Sequence, residues 1–236
     1  MIIGPGSQND LDISGILVVD KDKAMTSHDV VDLVRKRFKI RKVGHAGTLD
    51  PDATGVLVLL LGAATRLSSQ LSGEDKKYRA KIRLGERTDS GDSSGKIISE
   101  KAVSQDIAGI KRVMESFVGE IDQVPPMFSA KKVKGKRLYK LARQGKTVER
   151  LPVKVTVKSL DIISVDLPEI EFEVLCTKGT YIRQLADDIG EKAGSGGHLV
   201  ELRRLSSGNF KIENAVTISE ILRMNREELN ENLARI

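Results

Sequence analysis

Six aliphatic residues in a row, Val56 to Leu61, stand between Gly55 and Gly62. The run is far too short to cross a bilayer, which takes about 20 apolar residues in a helix. Bounded by turn-formers, it reads as a buried strand. Ile16 to Val19 reads as a second. Tyr78 to Leu84 alternates: Tyr78, Ala80, Ile82 and Leu84 share one face, and Arg79, Lys81 and Arg83 the other. That is the pattern of a half-buried strand. Val153 to Val157 and Ile170 to Cys176 alternate in the same way.

Helices are spaced between these strands. Thr26 opens one, with Asp29 three residues on as a capping-box variant. Val30, Leu33, Val34 and Phe38 form its apolar stripe, with acids early and bases late, as the helix dipole favours. A short helix is expected over residues 106–117. Another starts near Tyr181, with Ile182, Leu185, Ala186 and Ile189 as its stripe, and stops near Gly194. The elements do not follow a regular βαβ rhythm. The expected class is α+β: a mixed, mostly antiparallel central sheet with flanking helices.

With 236 residues the chain can bury roughly 70% of its unfolded surface and needs no staple. Its one cysteine, Cys176, excludes an internal disulfide and suits a reducing cytosol. The opening MIIGPGSQNDLD lacks the basic start and apolar run of a signal peptide. A cytoplasmic protein with no membrane attachment is expected, and no protein partner is evident. His28, His45 and His198 are far apart in sequence, and no metal-ligand spacing occurs.

The net charge is +6, yet Lys131 to Arg150 alone holds nine Lys or Arg against one Glu. The basicity is concentrated in that strip, and a polyanion such as nucleic acid is the first physical reading. A solvated surface helix is the alternative. Tyr78, Tyr139 and Tyr181 each lie within two residues of a Lys or Arg. Aromatics beside cations hold unstacked bases by ring stacking and phosphate attraction.

The loop before the aliphatic run, GHAGTLDPDATG, carries the chemistry. It lacks the phosphate-loop and dinucleotide glycine patterns. What it does present is Asp50, held extended by Pro51 and flanked by glycines that permit tight turns. Such a carboxylate can act as base, nucleophile or cap. A turn aspartate bonding its own backbone is the plainer reading. Arg183 adds a second oddity. A cation in the first turn of a helix opposes the helix dipole, so an anionic partner is expected, either Asp50 or an RNA phosphate.

GHAGTLDPDATGVL closely resembles the central motif of the TruB family of tRNA pseudouridine synthases. GILVVDKDKAMTSHDVV resembles that family's opening strand and loop, KKYRAKIRLGERTDSGDSSG its second motif, and VPPMFSAKKVKGKRLYKLARQG its inserted RNA-gripping segment. CTKGTYIRQLADDIG and GGHLVELRRLSSG resemble the closing motifs. The matches occur in family order over roughly residues 15–222.

The resemblance implies the pseudouridine synthase fold, with residues 1–236 forming a single catalytic domain. A basic RNA-gripping insert is expected near 123–150, and no C-terminal PUA domain is expected. It implies that Asp50 is the nucleophile, that Tyr78 stacks on the flipped uracil, and that Arg183 pairs with Asp50. Tyr181 and Leu202 fall in the uracil pocket, His45 helps flip the nucleotide, and Lys21 matches the lysine of the first loop. Lys131, Lys132, Lys134, Lys136, Arg137, Lys140 and Arg143 are the candidate contacts to the RNA backbone. The implied substrate is uridine 55 in the T-arm of tRNA. Isomerising it needs no redox or group carrier, so no cofactor is expected. Attack on the ribose and attack on the uracil ring both remain open. The alternatives are a guide-dependent synthase of the box H/ACA type and a non-catalytic RNA-binding protein on the same fold.

Overall fold

Gly55 and Gly62 bracket the aliphatic run for a steric reason. Both have positive φ, +98° and +58°. A Cβ on Gly55 would lie 2.2 Å from the carbonyl oxygen of Arg204, so only glycine fits there. The computed structural model describes residues 13–129, 131–133, 135–142 and 144–234. Its contacts divide it into two compact units, 1–74 with 204–236, and 75–203.

The first unit starts with β1 (Gly15–Lys21), α1 (Ser27–Phe38), β2 (Val43–His45), β3 (Thr54–Leu61) and α2 (Ser68–Ser72). The second holds β4 (Lys76–Leu84), β5 (Glu86–Thr88), β6 (Ile97–Glu100), α3 (Ile107–Glu115) and β7 (Gly119–Gln123). It continues through β8 (Lys132–Val133), β9 (Lys136–Arg137), α4 (Leu138–Ala142), β10 (Val153–Asp166), β11 (Glu169–Cys176) and α5 (Ile182–Ala193). Strand β12 (Gly197–Ser207) returns the chain to the first unit, which ends with β13 (Phe210–Lys211), β14 (Val216–Thr217), α6 (Ile218–Arg223) and α7 (Arg226–Glu231).

In the first unit β3 is buried except at Thr54. It pairs antiparallel with β1, from Gly15↔Leu61 to Lys21↔Gly55, and with β2. Strand β1 also pairs with β14, in parallel. The capping box of α1 forms as the sequence predicts, with Thr26 and Asp29 each bonding the other's backbone. Its buried stripe is Val30, Val31, Val34 and Phe38. Val31, not Leu33, completes it, because the buried face is rotated by part of a turn from the predicted one.

In the second unit the sheet runs β4-β11-β10-β7, with all of these pairings antiparallel. Tyr78, Ala80, Ile82 and Leu84 face the core, and the cations on the other face of β4 meet acids on β11. Lys77 pairs with Glu173, Arg79 with Glu171 and Arg83 with Glu169. Cross-strand charge pairs of this kind fix register, and they leave this face of β4 neutralised. Helix α5 buries Ile182, Leu185, Ala186 and Ile189, the predicted stripe, and ends at Gly194 in the left-handed region. No described helix is long and apolar enough to cross a membrane.

Candidate functional site

Asp50 sits half-buried in the loop between β2 and β3. The Asp50 carbonyl accepts from the Ala53 amide at 3.1 Å, closing a turn with Pro51 at its second position. The neighbouring carbonyls are bonded too. Gly47 and Thr48 accept from the two terminal nitrogens of Arg204 at 3.1 and 3.4 Å. Leu49 accepts from Ser27 Oγ at 3.0 Å, and the Leu49 amide donates back to the same oxygen. Pro51 accepts from Lys21 Nζ at 3.1 Å. Five consecutive carbonyls, 47 to 51, thus each have a donor.

Lys21 and Arg204 are almost wholly enclosed, 0% and 1% exposed. Lys21 uses all three ammonium protons on the carbonyls of Asp22, Met25 and Pro51. Burial pulls its pKa down to about 8; the carboxylates of Asp52, Asp22 and Asp50 oppose this and Arg204 adds to it. Arg204 also donates Nε to the Val56 carbonyl at 2.6 Å. His45 closes β2 at the entry to the loop. Burial, aided by the charges of Arg204 and His28, lowers its pKa below the usual imidazole value, and its Nδ1 is buried without a hydrogen-bond partner.

The second unit holds Tyr78, Tyr181, Arg183 and Leu202. Tyr78 lies on β4 at 9% exposure. Leu202 is half-buried on β12. Tyr181 is the N-cap of α5. Its backbone is clasped by Gln123, which is fully buried at the end of β7. The Tyr181 amide donates to Gln123 Oε1 at 2.8 Å, and Gln123 Nε2 donates to the Tyr181 carbonyl at 3.1 Å.

Arg183 is 7% exposed. It donates to the carbonyls of Phe128 and Ser90 at 2.7 and 3.3 Å. Within its unit its anionic partner is Asp92, at 3.4 Å. The sequence points to Asp50 or a phosphate instead, and Asp92 lies in the turn-rich stretch RTDSGDSSG. That turn has a structure of its own: Asp92 Oδ1 accepts from the Ser90 and Ser94 hydroxyls at 2.6 Å each. Arg87 grips Asp187 on α5 with two nitrogens, at 2.7 and 2.8 Å.

In the basic segment, β8 and β9 form a small hairpin turning at Gly135, where φ is +79°. Leu138 on α4 is fully buried and anchors it, and Lys136 and Lys140 are exposed. Lys131 is half-buried. Lys134 and Arg143 lie outside the described residues, as do the side chains of Lys132, Arg137 and Tyr139. Among the described residues no His, Cys, Asp or Glu side chains group as a metal ion would need. The sequence reading missed Arg204, Gln123, Asp92 and Ser27. Only Arg204 had a signal, as a cation inside the motif LRRLSSG.

Residues 35–182 match the model of the TruB family pseudouridylate synthase (N terminal domain). Residues 183–236 match that of the tRNA pseudouridylate synthase B C-terminal domain. Among curated relatives, tRNA pseudouridine synthase B of Syntrophotalea carbinolica is 49% identical over 225 residues, covering 95% of this chain and 74% of the relative. The Alkaliphilus oremlandii protein of the same name is 47% identical over 209 residues, covering 89% and 70%. A solved Cbf5-Nop10-Gar1 complex contains a chain that superposes with a TM-score of 0.74 at 29% identity, over 94% of this chain and 60% of that one. A chain of an H/ACA RNP bound to a substrate RNA gives 0.68 at 27%, over 92% and 57%. This chain therefore spans less than two thirds of those solved chains.

Proposed function

The chain belongs to the TruB family of pseudouridylate synthases, and from that premise we propose that it converts uridine 55 in the T-arm of tRNA to pseudouridine, with Asp50 as nucleophile. The bond from the ribose C1′ to N1 of the uracil breaks, the base turns, and C1′ bonds to C5. One proton leaves C5 and one is gained at N1, so atoms balance and no oxidant, reductant or carrier takes part. The observation that carries the reading is the Asp50 loop, whose carbonyls on both sides of the carboxylate are bonded back into the protein. This is the preorganisation expected of a group that must meet a reacting atom.

Tyr78 stacks on the extruded uracil, and Tyr181 and Leu202 complete its pocket. Arg183 takes the carboxylate-pairing role, and His45 aids extrusion. Unstacking a base costs a few kcal/mol. One aromatic stack returns about 1–3 kcal/mol, so phosphate contacts by the basic segment must supply much of the binding. The named tRNA synthases are 44–49% identical to this chain and the H/ACA-type chains 27–29%. That favours a synthase acting alone over a guide-dependent one.

The test is a bare T-arm hairpin incubated with the chain, with the modified nucleotide mapped. Pseudouridine at position 55 without any guide RNA is the expected product. Binding without modification would leave the non-catalytic reading, and modification only with a guide would favour the other.

A further inference from the structure

We infer that Arg204 is a positioning residue for Asp50, acting through the loop backbone and not through the substrate. This rests on the reading of Asp50 as nucleophile. The guanidinium bridges both limbs of the loop: Gly47 and Thr48 on the way in, Val56 on the way out. Its own backbone abuts Gly55, where no Cβ would fit. The loop is thereby closed at its neck by one side chain that is 1% exposed.

Arginine suits this task on physical grounds. A guanidinium stays charged in the interior, where an ammonium would tend to lose its proton. Its planar fork can serve three carbonyls in fixed directions, while lysine is a point donor. A buried charge must be fully bonded to be tolerated, so the carbonyls that satisfy Arg204 are also held by it. The same bonds hold the oxygens of Gly47 and Thr48 toward the guanidinium.

The experiment compares Arg204→Lys and Arg204→Met with the unaltered chain. Single-turnover rates at saturating T-arm hairpin are measured beside the hairpin Kd. A positioning role predicts a rate at least tenfold lower for R204K and lower still for R204M, with Kd within threefold in both. A rate for R204K within twofold of normal would overturn the inference. So would a Kd that weakens in parallel with the rate, since that is the mark of an RNA contact or of general collapse. If neither variant folds, Ser27→Ala decides: it removes the bonds at Leu49 without removing a charge. A severalfold slower rate at unchanged Kd would uphold backbone positioning of the loop, and an unchanged rate would sink it. An unaltered chain that makes no pseudouridine would overturn the functional reading itself, and this inference with it.

Discussion

Two sets of cations in this molecule face opposite physical problems. Lys21 and Arg204, behind the Asp50 loop, have almost no contact with water. Lys136 and Lys140, in the basic segment, are exposed. A buried cation must find acceptors, and here it finds backbone carbonyls, so it rigidifies the chain that supplies them. An exposed cation is satisfied by water and stays available to a phosphate. The same residue types thus bond the backbone in one region and face solvent in the other.

The largest expected effect is at the carboxylate that the buried pair supports. Asp50→Asn is nearly isosteric, so the loop should persist while the nucleophile is lost. Turnover should fall by more than a hundredfold, about 2.7 kcal/mol of transition-state stabilisation, with T-arm affinity changed no more than a few-fold. Residual pseudouridine formation above a hundredth of normal would mean that the buried cations support something other than a nucleophile.

The burial of Lys21 should be visible in the pH dependence of stability. Its folded pKa is about 8, below the 10.5 of the exposed group. Between those values the unfolded chain holds a proton that the folded chain has released, so this residue makes stability rise with pH. The difference between the unaltered chain and Lys21→Met, from urea melts at several pH values, should grow in favour of lysine from pH 8 to 10.5. One proton contributes at most about 1.4 kcal/mol per pH unit, and a total of about 1–3 kcal/mol is expected. A flat difference would mean that the ammonium is hydrated and the contrast with the exposed set is false.

How much of this was legible beforehand depended on what each residue contributes to a pattern. The β3 run, the β4 alternation, the Thr26–Asp29 cap and the α5 stripe were readable because apolar periodicity and capping are local. The turn at Asp50-Pro51 was readable for the same reason. Arg204 and Lys21 were not legible as buried groups. Hydrophobic patterning assigns cations to the surface, and only the folded chain reveals the carbonyls that offset their desolvation. Gln123 was invisible for a similar reason: its partner Tyr181 is 58 residues away. Asp92 was hidden in a stretch, RTDSGDSSG, whose composition signals only turns.

Arg183 is buried as the first set is, 7% exposed, but bonds both to carbonyls and to a carboxylate, Asp92. Arg183→Lys keeps the charge but loses the fork. Turnover should drop by tenfold or more with fold and T-arm affinity nearly unchanged. A near-normal kcat would make the charge alone sufficient here, and would blur the distinction between positioning and binding cations.

The smallest effect should come from the basic segment, and it should appear in salt dependence. Each phosphate neutralised on duplex nucleic acid steepens the fall of log K with log salt by about 0.9. Replacing Lys131, Lys136 and Lys140 with glutamine should flatten that slope by up to about 2.7, if all three make contact. Such a slope corresponds to roughly a sixfold loss of affinity for each doubling of salt, and the triple variant should be spared that loss. Its urea midpoint should not move, because Lys136 and Lys140 are exposed, Lys131 is half-buried, and shortening such side chains opens no core cavity. Leu138, fully buried on α4, supplies the contrast within the same segment. Leu138→Ala should lower the midpoint by about 2–5 kcal/mol in stability, with a salt slope unchanged for the molecules that remain folded. Titrating a T-arm hairpin at four salt concentrations beside the melts separates the two behaviours. An unchanged slope in the triple variant would move the RNA to another face, and a fallen midpoint would make these lysines structural, as Lys21 and Arg204 are.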